Sequence, residues 1–121
     1  MGFFNRIFGK RSQPRNPSSP PIEQAVLVYL DGVGLPNHIY QECELATIED
    51  RLMATIEDSN LGEFDGNEIG PKETVLYMYG PDAEKLFAGI ELTLRNYPLC
   101  QGARIIIRHG GPGANQREIK L

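Results

Sequence analysis

The apolar residues of this chain change period in a fixed order, and that order leaves few folds open. Residues 25–30, AVLVYL, form a continuous apolar run closed by Asp31 and Gly32, which predicts a buried strand and then a turn. From 42 to 58 the spacing becomes helical: Leu45, Ile48, Leu52 and Ile56 form a stripe with Met53 beside it, while Glu49, Asp50, Glu57 and Asp58 lie off it. An amphipathic helix with an acidic outer face is expected there. Residues 62–70, GEFDGNEIG, are rich in turn formers and predict a weak edge strand, with Asp65 and Gly66 read as a hairpin turn. The β-branched and aromatic residues of TVLYMY, 74–79, suit a firmer strand.

A second helix opens next, with Gly80 as cap, Pro81 at the first helical position, and Asp82 and Glu84 beside its positive end. Ala83, Leu86, Phe87, Ile90, Leu94 and Tyr97 line its apolar side, and Pro98 stops it. ARIIIRH at 103–109 is another strand; GGPGA at 110–114 turns the chain into a last short strand at 117–121. The order strand, helix, strand, strand, helix, strand, plus one more, predicts an α+β fold. Its expected form is a ferredoxin-like split βαβ two-layer sandwich: an antiparallel sheet, two helices on one face and an extra C-terminal strand.

Charge divides the chain. Residues 1–22 hold Arg6, Lys10, Arg11 and Arg15 and no acid, whereas residues 23–121 hold 8 basic and 16 acidic side chains. The expected organisation is a basic arm and linker, 1–22, on a single acidic domain, 23–121. In MGFFNRIFGKR, Phe3, Phe4, Ile7 and Phe8 recur at the spacing of one helical face, and the proline-rich SQPRNPSSPP behind them reads as an extended spacer. The arm carries neither a secretory core nor the Ser or Thr that a myristoylation motif needs at Arg6. It reads as a weak peripheral membrane or partner contact, as a segment that docks on its own body, or as a frayed terminus. No apolar run of 18 residues occurs. Cys43 and Cys100 form no CxxC, which speaks against a disulfide framework or a zinc cluster and for a reducing, cytoplasmic setting, extending to the inner face of the membrane through the arm.

If both helices cover one sheet face, alternation decides what the other presents. Guanidinium groups avoid a core, so Arg104 and Arg108 are expected to face outward with Tyr77 and Tyr79, and with Tyr29 and Leu27 of the first strand. Such a platform suits base stacking, a small planar anion, or another protein, including a second copy. The RNA-recognition layout is similar, but KETVLYMY at 72–79 lacks the glycines of that family's third-strand motif, and the acidic body repels phosphate. No nucleic-acid partner is expected.

Other motifs carry less. The GGPGAN run at 110–115 offers a backbone anion nest with Arg108, Arg117 and Lys120 nearby, or simply a tight turn. Glu63, Asp65, Asn67 and Glu68 suggest calcium, but an EF-hand register from Asp65 needs Glu where Leu76 stands, so no metal is expected. Glu42 and Glu44 flank Cys43 and would blunt its nucleophilicity, so no catalytic residue is assigned; His38, Asp31 and Cys43 are the least poor candidates. His38 and His109 each stand alone in sequence, open to a carboxylate brought by the fold. No cofactor motif is present.

Three stretches, YGPDAEKLF at 79–87, DGNEIG at 65–70 and GGPGA at 110–114, resemble recurrent segments of small uncharacterised bacterial proteins. That resemblance implies a free-standing bacterial protein and brings no activity or site residue with it. The leading expectation is a non-catalytic protein-binding or regulatory module, of inhibitor or immunity type, that contacts another protein or its own copy. The alternative is a small-anion sensor or minor enzyme using the open sheet face.

Overall fold

The computed structural model describes residues 24–121; the arm with Phe3, Phe4, Ile7 and Phe8, and the linker behind it, lie outside the described residues. Strands β1 (Gln24–Asp31), β2 (Glu63–Ile69), β3 (Glu73–Gly80), β4 (Arg104–Arg108) and β5 (Gln116–Lys120) form one sheet in the order β2-β3-β1-β4-β5. Every neighbouring pair is antiparallel. Helices α1 (Asn37–Glu42) and α2 (Leu45–Asp58) lie between β1 and β2, and α3 (Ala83–Arg95) with a 3₁₀ turn (Pro98–Cys100) between β3 and β4. The described residues are thus α+β, with a five-stranded antiparallel sheet and three α-helices.

Strand alternation sorts the sheet residues. Val26, Val28, Leu30, Leu76, Met78, Ile105 and Ile107 join Ile48, Leu52 and Ile56 of α2 and Leu86, Ile90 and Leu94 of α3 in one core. The residues of opposite parity in β1, β3 and β4 stay outside that core. The periodicity at 42–58 and 83–97 therefore identified the buried faces, because the same stripes meet the sheet.

The boundaries differ from expectation in three places. The helical segment expected from 42 breaks at Cys43 and Glu44, and Glu42 ends the separate short helix α1, which buries only Ile39. The cap of α3 is Asp82, not Gly80: its carboxylate accepts from the Lys85 amide at 3.1 Å, and Pro81 precedes the helix. Gln24 Oε1 accepts from the Ala83 amide at 2.8 Å, so β1 helps to satisfy the same helix end. Asp65 and Gly66 are not a hairpin turn. They lie within β2 at a register shift, where Gly66 takes φ 115°, and the chain reverses over residues 70–72 instead.

Two local devices close the connections. After α2, Asn60 adopts φ 53° and the Leu61 amide donates to Ile56 O at 3.0 Å, a left-handed stop that lets the chain turn into β2. After β1, the Asp31 carboxylate accepts from the Val33 and Gly34 amides at 2.9 and 2.8 Å. Those two amides hold its carboxyl below the ordinary range.

Candidate functional site

The sheet face away from the core carries all six predicted platform residues. Register arranges them in rows: Tyr79 faces Ala25, which faces Arg108; Tyr77 faces Leu27, which faces Ile106; Val75 faces Tyr29, which faces Arg104. The middle of this face is apolar and closely covered by its own neighbours. Ala25 is fully buried and Ile106 is 7% exposed although neither belongs to the helix-side core. Leu27, Tyr29, Tyr77, Tyr79, Arg104 and Arg108 are half-buried around them.

Arg104, Arg108 and Tyr77 of the platform are each held by a neighbour. The Arg104 guanidinium lies 4.5 Å from the centroid of the Tyr29 ring, with Nη2 3.3 Å from Glu73 and Nη1 3.9 Å from Glu118. Arg108 Nε donates to Gly110 O at 2.8 Å. Tyr77 donates its hydroxyl to Glu68 Oε1 at 2.7 Å; desolvation, then that carboxylate, raises its pKa and keeps it a neutral phenol. The arginines therefore brace the face rather than reach out from it. Sequence placed these residues correctly but carried no sign of Glu73 and Glu118, which the cross-strand register brings in.

The anion nest is not assembled. Arg108 and Lys120 lie on the open side of the sheet, while Arg117, by alternation in β5, points to the helix side. There Arg117 makes a bidentate pair with Glu84 of α3, Nε to Oε2 at 2.9 Å and Nη2 to Oε1 at 2.7 Å, and His109 Nε2 lies 2.7 Å from the same carboxylate. Glu84 is the carboxylate that His109 lacked in sequence. Arg117, then His109, draw its pKa down to about 2. This cluster pins the β4–β5 hairpin to the start of α3.

The calcium and catalytic candidates are dispersed. Glu68 serves Tyr77 on the open side, whereas Asn67 donates to Glu49 of α2 on the other, so strand alternation separates them. Among the described residues no group of three or more His, Cys, Asp or Glu side chains is placed to hold a metal ion. His38 is exposed on α1, Asp31 is occupied by its own loop amides, and Cys43 packs partly against the core. Burial pushes the Cys100 thiol up to about 12, which makes it unreactive. No helix of the described residues is long and apolar enough to cross a membrane.

No family model matches the chain, and neither a curated protein nor a solved structure matches it.

Proposed function

We propose that this chain is a non-catalytic protein-binding or regulatory module that receives another protein on the open face of its sheet. The observation that carries this is an apolar centre of Ala25, Leu27, Val75 and Ile106 ringed by Tyr29, Tyr77, Tyr79, Arg104 and Arg108, on a face outside the helix-packed core. Aromatic and arginine side chains that are already held in place lose little freedom when a partner lands on them. A small planar anion is less well served. It would have to displace Glu73 and Glu118 from Arg104 and Gly110 O from Arg108. Nucleic acid meets the rim carboxylates Glu68, Glu73 and Glu118 and a net acidic body.

The scaffold of this proposal is a ferredoxin-like split βαβ unit in the run β2-β3-β1-β4, from which the five-strand order departs by the added β5. An inhibitor or immunity role fits the exposed Asp50, Glu57 and Asp58 of α2, which would oppose a basic partner. The arm at 1–22 adds a weak peripheral contact with the inner, anionic membrane surface, at about 1 kcal/mol per basic residue.

Capture from cell extract on the full chain tests the platform. Leu27→Asp is expected to lose the specific partner and Leu92→Asp, on the outer side of α3, to keep it; equal recovery contradicts the proposal. For the arm, replacing Phe3, Phe4, Ile7 and Phe8 with serine in the full chain should abolish flotation with anionic vesicles. Unchanged flotation would remove the membrane contact.

A further inference from the structure

β5 ends the sheet, and its outer edge is the clearest unfilled hydrogen-bonding surface among the described residues. The His109 amide donates to Asn115 O at 2.9 Å and the Leu121 amide to Ala103 O at 2.9 Å, which fixes the phase of the β4–β5 ladder. In an antiparallel pair, residues alternate between those that exchange bonds with the neighbour and those whose amide and carbonyl point away. Asn115, Arg117, Ile119 and Leu121 thus face β4, and Gln116, Glu118 and Lys120 turn their backbone groups outward. The strand is regular, with neither glycine nor proline to break it. Such an edge accepts another strand.

We infer that the occupant is β5 of a second copy, paired antiparallel about a two-fold axis between the two Ile119 residues. Charge selects the copy and the register. With Ile119 opposite Ile119, Glu118 of each chain faces Lys120 of the other in a hydrogen-bonded position on the open side. The two isoleucines meet on the helix side, at the closer, non-hydrogen-bonded spacing. The neighbouring self-complementary registers fail. One sets Glu118 against Glu118, another Lys120 against Lys120, and a third Arg117 against Arg117. Registers of the intervening parity mismatch inward and outward backbone groups. Glu118 already lies 3.9 Å from Arg104, and both side chains are only partly buried, so that intrachain contact is easily shared.

A two-fold axis normal to the sheet keeps both helix layers on one side. The two five-stranded sheets then become one, and their platforms one continuous surface. The contact is a single strand pair and is therefore weak, and salt weakens it further.

Sedimentation velocity on the full chain, up to its highest soluble concentration, tests this. Wild type is expected to form a dimer. Glu118→Lys sets lysine against lysine, and Lys120→Glu sets glutamate against glutamate. Each is expected to weaken self-association by about tenfold or more. The decisive arm mixes the two single variants: each partner then supplies the charge that the other lacks, and the mixed dimer returns. The double exchange, Glu118→Lys with Lys120→Glu, should also dimerise. Tyr77→Ala on the open face should leave this dimer in place, so the edge contact and the proposed platform fail or stand separately. A wild-type chain that stays monomeric, single variants that associate like wild type, or a mixture that does not recover overturns the inference.

Discussion

On the helix side of the sheet, Val26, Val28, Leu76, Met78, Ile105 and Ile107 are sealed from water, and neighbouring apolar side chains alone hold them. On the open side, Tyr29, Tyr77, Arg104 and Arg108 are held by hydrogen bonds, a cation–π contact and carboxylates from adjacent strands. The same strands thus carry two kinds of order. Packing fixes one face and sets stability, while a polar rim over a small apolar centre fixes the other and leaves usable area. A surface built in the second way can be changed without unfolding the domain.

The largest expected effect separates the faces through one residue type. Leu76→Ala on the covered side should cost about 2–5 kcal/mol in denaturant unfolding, and Leu27→Ala on the open side under about 1.5 kcal/mol. Equal losses would mean that Leu27 is as enclosed as Leu76, and the comparison would break.

Next in size is the link between α3 and the terminal hairpin. The Glu84 carboxyl is lowered from 4.5 to about 2 in the folded chain, so its contribution to stability is present above pH 4.5 and is lost as the pH falls through about 2. The protection factors of the β5 amides, referred to the intrinsic exchange rate at each pH, should therefore fall across that acid window, and Glu84→Gln should lower them already at neutral pH. An acid response unchanged in Glu84→Gln would remove this cluster as the cause.

The smallest effect sharpens the open face. Arg104→Gln should change global stability by under about 1 kcal/mol, because its carboxylate partners are exposed, yet it uncovers the Tyr29 ring. Faster chemical modification of Tyr29 at unchanged unfolding midpoint is the expected pair of results. Unchanged modification would show that the guanidinium does not shield the ring.

Sequence carried the two faces because their cause is local. Alternation in TVLYMY and ARIIIRH, with charged guanidiniums that avoid a core, suffices to orient Tyr77, Tyr79, Arg104 and Arg108. The stripes of α2 and α3 were legible for the same reason. Helix α1 was not, since it is six residues long, buries only Ile39 and follows Pro36, which offers no side-chain cap. The bulge at Gly66 was read as a turn because glycine serves both, and only the register against β3 distinguishes them. Glu84, Arg117 and His109 come from α3, β5 and the loop after β4, so their meeting depends on the order of strands in the sheet.

Site-specific photo-crosslinking in cell extract tests the central claim most directly, with a benzophenone side chain placed at Tyr29 or, as the counterpart on the outer side of α3, at Leu92. An adduct of one defined mass from position 29 and none from position 92 is the predicted result. No adduct from position 29, or the same adducts from both positions, would contradict the assignment of the open sheet face as the contact surface.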